Sequence, residues 1–239
     1  MTTLLFEDVY ATYGAYKALN GLTLSVSSGE SLAVLGRNGV GKSTLARVAS
    51  ALVPIGSGQL EVLGRDIKKM PPHRLAHLGV VHLPEGVGLF TGLTIEENLI
   101  LRVGGKGRAQ RRQRFEHAMD GLGPLRERRK SKAGQLSGGQ QRLVAVTAAL
   151  SAEPKLLLAD EPALGLSPAA ADDVYEALGR ARSSESTLVI IETRLGRVEQ
   201  LCPRALIMNN GVAVFDGPIG AAHSVLEGML QPSGTGQVG

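Results

Sequence analysis

The sequence contains a single cysteine, no tryptophan and few aromatic residues of any kind. Aromatic residues make up 3% of its 239 residues. Cys202 has no second cysteine with which to form an internal disulfide bond, and no neighbours at metal-ligand spacing. We therefore expect Cys202 to be a packing residue and the protein to occupy a reducing compartment.

The sequence also lacks a hydrophobic run long enough to cross a membrane. Such a helix needs about 20 apolar residues, and no run approaches that length. Residues 1–8 lack the basic and then apolar pattern of a signal peptide. Hydrophobic residues make up 43% of the chain, enough to bury a core in one large or two small domains. These features predict a cytoplasmic protein.

The excess of positive charge lies mainly in one segment. The chain has a net charge of +4 and a pI near 9.4. Residues 102–132 hold eleven Lys and Arg residues against three acidic ones. A basic run of this kind either binds nucleic acid or forms a solvated helical face. Because it is not interleaved with aromatics in the manner of a nucleic-acid surface, we expect the solvated face and no nucleic-acid partner.

A glycine-rich stretch gives the strongest functional signal. It follows an apolar run at 32–35 and precedes a helical pattern at 45–49, and residues 36–43 match G-x-x-x-x-G-K-[ST], a phosphate-binding loop. Its backbone N–H groups and the helix dipole favour a polyphosphate, Lys42 is expected to reach the β- and γ-phosphates, and Ser43 to bind Mg²⁺. The predicted nucleotide-binding residues of this loop are Gly36, Arg37, Asn38, Gly39, Val40, Gly41, Lys42, Ser43 and Thr44.

Two carboxylates follow a continuous apolar strand predicted at 155–159. Asp160 and Glu161 stand at its C-terminal end, the edge at which parallel sheets bind their ligands. Asp160 could hold Mg²⁺ through water, and Glu161 could activate an attacking water. Such a pair alone is often only a helix cap, but the phosphate-binding loop upstream favours the catalytic interpretation.

Two further features have both a functional and a structural interpretation. Residues 136–140, Leu-Ser-Gly-Gly-Gln, form a second glycine-bearing turn before a helix, and therefore a second potential anion site. Ser137 could donate to a phosphate or simply cap the helix. Tyr13, upstream of the phosphate-binding loop, could stack on an adenine or pack at a strand end.

Periodicity and turn residues predict alternating strands and helices. Strands are predicted at 4–10, 22–26, 32–35, 59–62, 80–84, 155–159, 188–191, 205–208 and 212–215. Helices are predicted after the phosphate-binding loop and at 72–78, 94–101, 109–120, 137–151, 168–181 and 195–201. Residues 89–151 are predicted to be a helical insertion between core segments 1–88 and 152–230. The Pro/Gly/Ser-rich segment 231–239 is predicted to be disordered.

With motifs at 36–44, 136–140 and 157–161, the sequence resembles the ATP-binding subunits of ATP-binding cassette (ABC) transporters over nearly its full length. The Leu-Ser-Gly-Gly-Gln signature separates this family from other P-loop proteins. The resemblance implies an α/β fold, a P-loop NTPase core with a mostly parallel sheet, an N-terminal antiparallel β subdomain and a helical insertion. It further implies one domain over 1–239, located peripherally at the cytoplasmic face of the membrane, with ATP and Mg²⁺ as ligands.

In this family two such domains pair head to tail, and each ATP lies between the P-loop of one and the signature of the other. The resemblance therefore implies Tyr13 as the adenine-stacking residue, Asp160 as the magnesium carboxylate and Glu161 as the catalytic base. Implied contacts to the partner's ATP are Leu136, Ser137, Gly138, Gly139 and Gln140. Implied partners are a second ATPase subunit, integral-membrane permease subunits and, indirectly, a solute-binding protein.

A narrower resemblance is to the ATPases of branched-chain amino-acid importers and their urea or amide relatives. The segments that carry it are 64–67, 71–74, 83–86, 89–90, 93–99 and 164–168. Glu85 stands where most ABC proteins have the Q-loop glutamine, a substitution shared with this group, and is a candidate near the metal and the reacting phosphate. Val87 departs from the arginine of the group, and Ser167 from the common D-loop aspartate.

Thr193 stands at the position of the switch histidine. A threonine hydroxyl can form a hydrogen bond there but cannot become a cation. We therefore expect slow turnover at the ATP site on this chain's own P-loop, and a heterodimer with a second, non-identical ATPase. A homodimer in which Glu161 suffices is the alternative.

The sequence supports three functional hypotheses. The first is a transport motor in which a groove around 85–90 transmits ATP-driven motion to a membrane subunit. The second is a soluble cassette protein acting on ribosomes or DNA, although the second cassette or long coiled coil of those types is missing. The third is a degenerate cassette that binds ATP and regulates or completes the site of a partner.

Overall fold

The computed structural model describes residues 1–86, 88–183 and 186–230. The strands are β1 (Thr2–Tyr13), β2 (Tyr16–Ser27), β3 (Ser31–Leu35), β4 (Ser57–Val62), β5 (Arg65–Asp66), β6 (Val80–Leu83), β7 (Leu156–Asp160), β8 (Thr187–Glu192), β9 (Arg204–Asn209) and β10 (Val212–Pro218). The α-helices are α1 (Lys42–Ala49), α2 (Pro72–Leu78), α3 (Ile95–Arg102), α4 (Arg108–Asp120), α5 (Gly138–Leu150), α6 (Pro168–Ser183) and α7 (Ile219–Leu230). Short 3-10 helices occupy Gly123–Arg128, Ala133–Gln135 and Gly196–Gln200.

The described strands form two sheets. The first is antiparallel, in the order β2-β1-β4-β5. The second has the order β10-β9-β3-β8-β7-β6, and all its pairings are parallel except that of β10 with β9 at the edge. The register pairs Leu35 with Glu192 and Asp160 with Ile191, so β3, β7 and β8 end at the same edge of the sheet.

The parallel sheet is buried on both faces. Every residue of β3 and β7 is buried, and alternate residues point to opposite sides. Leu32 and Val34 belong to a core shared with the antiparallel sheet and α1. Ala33 and Leu35 belong to a second core shared with α5, α6 and α7. This double burial explains why these strands are continuous apolar runs in the sequence.

The helical region between β6 and β7 has its own apolar cluster. Its buried members are Ile95, Leu99, Ala118, Met119, Leu122, Leu125, Leu136, Val144 and Ala148. The predicted capping box opens α3: Thr94 Oγ1 accepts from the Glu97 backbone N–H at 3.2 Å, and Glu97 accepts from the Thr94 N–H at 2.7 Å. Helix α5 also contributes to the core of the parallel sheet, so it joins the two regions.

The predicted α/β architecture is confirmed, with corrections to particular elements. β1 and β2 are twelve-residue strands of one hairpin and longer than predicted, because their pairing continues to Tyr13 opposite Tyr16. The predicted helix at 195–201 is a short 3-10 helix, which starts at Gly196 in a left-handed conformation. β5 and α7 were not predicted.

Val87 and the predicted disordered segment 231–239 lie outside the described residues. In the part of the chain that is described, no helix is long and apolar enough to span a bilayer.

Candidate active site

The phosphate-binding loop connects the end of β3 to the start of α1, as predicted. All three of its glycines have a positive φ, 144° at Gly36, 82° at Gly39 and 106° at Gly41. A Cβ atom at Gly36 would lie 2.5 Å from the Met208 carbonyl oxygen, and one at Gly41 would lie 2.3 Å from that of Ala18. Both distances are far below van der Waals contact, so the path of the loop requires glycine at these two positions.

The side chain of Lys42 folds back across the loop. It is 5% exposed, and Nζ donates to the carbonyl oxygens of Gly36 at 2.7 Å and Arg37 at 3.1 Å. The nearest Glu161 carboxylate oxygen lies 3.9 Å away. Burial lowers the pKa of Lys42 even though Glu161 and Asp160 act in the opposite direction. The ammonium group is thus desolvated and held mainly by neutral carbonyls, which phosphate oxygens could replace with a stronger bond.

Ser43 and Asp160 are neighbours in space although 117 residues separate them in the sequence. Ser43 Oγ donates to Asp160 Oδ1 at 3.1 Å. Asp160 is 2% exposed, and burial raises its pKa while the bond from Ser43 acts to lower it. A hydroxyl and a carboxylate are the hard oxygen ligands that Mg²⁺ prefers. These two atoms therefore fit a magnesium ion bound beside a phosphate.

Glu161 and Thr193 meet above the loop. Glu161 follows β7 in a left-handed conformation, with φ of 44°. Its Oε1 atom accepts from Thr193 Oγ1 at 2.5 Å, and the same hydroxyl lies 3.0 Å from Asn38 Oδ1. One hydroxyl hydrogen can serve only one of these acceptors at a time. Thr193 consequently bridges the phosphate-binding loop and the carboxylate after β7.

A cleft of about 360 Å³ lies over the loop. Its lining residues are Tyr16, Asn38, Gly39, Gly41, Lys42, Ser43, Thr44, Glu85, Glu161, Leu164 and Thr193. The parallel sheet thus brings the residues after β3, β6, β7 and β8 together, including the predicted Glu85. This is the arrangement that the strand order alone would produce at the carboxyl edge of the sheet.

Two tyrosines lie near this cleft, and only one of them lines it. Tyr16 O–H donates to the Gly39 carbonyl oxygen at 2.7 Å. The predicted Tyr13 ends β1, is 41% exposed and is not among the lining residues. The sequence reasoning missed Tyr16, because strand pattern alone does not show which tyrosine of a hairpin turn points to the loop.

Arg142 is a buried anchor that the sequence reasoning also missed. It is 4% exposed on α5, and its guanidinium donates to the carbonyl oxygens of Pro162 at 2.7 Å, Pro84 at 2.8 Å and Asp160 at 3.1 Å, with a further bond to Gly86. Burial lowers its pKa to about 10, so it remains charged at neutral pH. It ties the loop after β6 to the turn after β7. The sequence signal that could have identified Arg142 is a single charged residue next to the apolar stretch of α5.

The signature segment lies at the start of α5. Ser137 caps this helix: its Oγ accepts from the Gln140 N–H at 3.3 Å, and its own N–H donates to Gln140 Oε1 at 3.2 Å. A Cβ atom at Gly139 would lie 2.5 Å from the Ala170 Cβ, so this glycine allows α5 to approach α6. None of residues 136–140 is among the described residues that line the cleft over the phosphate-binding loop.

Comparison with known proteins agrees with this geometry. Residues 19–164, more than half of the chain, match the ABC transporter family, and the chain belongs to that family. It is 31% identical to the high-affinity branched-chain amino acid transport ATP-binding protein BraG of Pseudomonas aeruginosa, over 89% of this chain and 91% of BraG. It is 29% identical to the lipopolysaccharide export system ATP-binding protein LptB of Escherichia coli, over 91% of each chain.

A solved structure is similar over nearly the whole chain. It is a nucleotide-free ATP-binding cassette from an ABC transporter, 28% identical, with a TM-score of 0.79 over 95% of this chain and 96% of the other. The chain is accordingly an ABC transporter ATP-binding subunit with the P-loop NTPase fold, from a family of ATPases.

Proposed function

We propose that this chain binds Mg-ATP in the cleft over the phosphate-binding loop and hydrolyses it. The observation that supports this most directly is the convergence of three groups at one sheet edge: the Lys42 ammonium, the Ser43–Asp160 oxygen pair and the Glu161 carboxylate. Lys42 would bind the β- and γ-phosphates. Ser43 and Asp160 would hold Mg²⁺, Glu85 also lines the cleft, and the ion would neutralise the phosphate charge.

In the proposed reaction, Glu161 accepts a proton from the water whose oxygen attacks the γ-phosphorus. The bond between that phosphorus and the β–γ bridging oxygen breaks, and ADP leaves. Lys42 Nζ lies 3.9 Å from the nearest Glu161 carboxylate oxygen, so a γ-phosphate bound by Lys42 would lie beside the carboxylate that accepts the proton.

The working assembly in this proposal is a head-to-tail dimer with a second ATPase. The signature residues 136–140 stay outside this chain's own cleft, and Leu164 at the cleft margin is 60% exposed. Both features suit a partner cassette that closes over this cleft. Ser137 and Gly139 of this chain would then contact the ATP bound to the partner's P-loop. Because Thr193 cannot become a cation, we infer a non-identical partner that performs most of the hydrolysis.

We further propose an importer of branched-chain amino acids or of related small polar solutes such as urea or amides. BraG, to which the chain is similar, supports this class by its name, whereas LptB belongs to an export system.

The chain would lie at the cytoplasmic face of the membrane, bound to permease subunits that receive solute from a solute-binding protein. A core lobe of 1–88 and 152–230 would bind ATP, and a groove between this lobe and a helical subdomain of 89–151, around residues 85–90, would meet the permease.

The first experiment is a comparison of Mg-ATP binding and hydrolysis by the full chain, alone and with the ATPase and permease that co-purify with it. We expect binding in both cases, slow hydrolysis alone and faster hydrolysis in the assembly. Failure to bind Mg-ATP would contradict the assigned site, and brisk cooperative hydrolysis by the chain alone would contradict the need for a second ATPase. Uptake of labelled leucine and urea by the reconstituted assembly tests the solute class.

A second candidate function is that of a degenerate cassette that binds ATP only to complete a partner's site. The uncharged Thr193 at the switch position favours it. The measurement that separates the two is hydrolysis by an assembly in which the partner's own P-loop lysine is replaced. Remaining hydrolysis belongs to the site on this chain, whereas complete loss indicates the degenerate cassette.

A further inference from the structure

Two successive peptide groups of the phosphate-binding loop are bonded to other elements of the chain. The Tyr16 hydroxyl donates to the Gly39 carbonyl oxygen at 2.7 Å, and the Gly211 N–H donates to the Val40 carbonyl oxygen at 2.9 Å. Tyr16 is the first residue of β2, and Gly211 lies in the turn between β9 and β10. Both carbonyl groups are therefore held in fixed directions by residues outside the loop.

The turn that carries Gly211 is itself bonded to β2. Asn20, in the middle of β2, donates from its backbone N–H to the Gly211 carbonyl oxygen at 3.0 Å and from its side-chain amide to the Asn210 carbonyl oxygen at 2.8 Å. A Cβ atom at Gly211 would lie 2.7 Å from the Ala18 carbonyl oxygen, so the turn packs closely on the strand. Strand β2 thus holds the loop twice, directly through Tyr16 and indirectly through this turn.

A bond that fixes a carbonyl group also fixes the N–H group of the next residue. A peptide unit is planar and trans, so its C=O and N–H bonds point in opposite directions. The Tyr16 bond therefore orients the Val40 N–H, and the Gly211 bond orients the Gly41 N–H. Backbone N–H groups are the donors with which a loop of this kind binds phosphate oxygens.

The loop needs such restraints because glycines stand on both sides of Val40. Gly39 and Gly41 have φ of 82° and 106°, and glycine populates positive and negative φ about equally well. A peptide group beside a glycine therefore meets little steric resistance to rotation. A rotated peptide would turn the negative end of its dipole towards a bound phosphate, and a hydrogen bond to its carbonyl oxygen opposes that rotation.

We propose that Tyr16 and Asn20 are positioning residues for the phosphates of Mg-ATP. Tyr16 holds the Gly39 carbonyl group directly, and Asn20 holds the Val40 carbonyl group through the turn between β9 and β10. While its single hydrogen is bonded to Gly39, the Tyr16 hydroxyl cannot donate to a phosphate, so its effect passes through the loop. The inference rests on the proposed function, in which this loop binds Mg-ATP.

The test is calorimetric titration of the full chain with two ligands. One is Mg-ATP, and the other is inorganic tripolyphosphate with Mg²⁺, which has no base or ribose. Tyr16→Phe keeps the ring and removes only the hydroxyl. Because one neutral hydrogen bond contributes a factor of about 2 to 10, we expect Tyr16→Phe and Asn20→Ala to weaken the binding of both ligands by about 2- to 10-fold. Tyr10→Phe is the matched control and should retain both affinities, since Tyr10 is not among the described residues that line the cleft.

The melting temperature of the nucleotide-free chain separates positioning from a merely structural role. Tyr16 is 56% exposed, so we expect Tyr16→Phe to melt within about 2 °C of the parent. Unchanged affinity for both ligands in this variant would overturn the proposal. So would weaker binding of Mg-ATP alone, because the hydroxyl would then act on the nucleoside, and so would a loss of affinity that accompanies a much lower melting temperature.

A measurement without ligand keeps the inference separate from the proposed function. The chemical shift of a carbonyl carbon, measured by NMR, responds to the hydrogen bond that its oxygen accepts. In the nucleotide-free chain we expect Tyr16→Phe to move the Gly39 carbonyl shift and Asn20→Ala to move that of Val40. If the parent binds neither ligand, the proposed function fails, and these shifts still decide whether β2 holds the loop. An unchanged Gly39 shift in Tyr16→Phe, or an unchanged Val40 shift in Asn20→Ala, would overturn the inference for that residue.

Discussion

Replacing His82 should remove a large part of the acid sensitivity of the fold. His82 lies on β6, where its Nδ1 atom is 3.1 Å from Ser50 Oγ. Its Nε2 atom is buried without a partner among the described residues. A second ring proton would therefore have no acceptor there, and it would add a cation near Arg47. Burial, with a smaller contribution from Arg47, lowers the pKa of His82 from 6.5 to about 4.

The sign of the effect follows from proton uptake. Between pH 6.5 and 4 the unfolded chain carries a proton on this histidine and the folded chain does not, so acid favours unfolding. The stability is present above pH 6.5 and is lost as the pH falls towards 4. Since one pKa unit corresponds to about 1.4 kcal/mol, the full loss is about 3.5 kcal/mol. Between pH 7 and pH 5 it is about 2 kcal/mol, or about 4–8 °C in melting temperature for a chain of this size.

The assay is thermal unfolding of the parent and of His82→Leu in a series of buffers from pH 7.5 to about 4.5. The leucine variant cannot take up the proton, so its melting temperature should fall less steeply below pH 6.5. His73→Gln, which removes an exposed imidazole, is the matched control and should retain the parental slope. Parallel curves for the parent and His82→Leu would refute the reasoning, because another group would then carry the acid sensitivity.

Substitutions at four further positions test the nucleotide site and its coupling. Lys42→Ala should abolish tight binding of Mg-ATP in a calorimetric titration, since the loop loses the buried ammonium group expected to bind the β- and γ-phosphates, and an unchanged affinity would count against the site. Glu161→Gln should retain ATP and lose turnover by about 100-fold or more, and parental turnover would require another base. A bulky or charged residue in place of Leu89 should leave ATP binding intact and uncouple transport, whereas loss of fold by circular dichroism would assign Leu89 to packing. The neighbouring Val87 is expected to behave in the same way.

The sequence was sufficient to predict which edge of the parallel sheet carries the candidate active site. The apolar runs that became β3 and β7 are buried on both faces, and this requirement made them recognisable. Once both were read as parallel strands, the phosphate-binding loop, Asp160 and Glu161 had to lie at the same edge. The roles of these residues in ATP binding and hydrolysis remain predictions, although their side chains do converge.

Other features depended on contacts that no local pattern encodes. Helix α7 contains Gly220 and Gly228, which lower helix propensity, and it is held by packing of residues such as Ala222 against the core of the sheet. The Tyr175–Glu192 bond joins a helix to a strand end that only the folded sheet brings together. The partners of Arg142 are backbone carbonyls, which have no side-chain signature in the sequence.

Helix α5 packs in both the helical region and the core of the parallel sheet, and it therefore connects the two. Its cap, Ser137, belongs to the segment that we propose contacts a partner's nucleotide, and Arg142, five residues further along, donates to carbonyl oxygens of the turns after β6 and β7. At about 1.5 Å per residue the two points are about 8 Å apart on one rigid rod. In the proposed dimer, we therefore expect a movement of the cap to be passed along the helix to Arg142, which donates to the Asp160 carbonyl oxygen. The occupancy of the partner's site would in this way affect the position of Glu161, the proposed base on this chain.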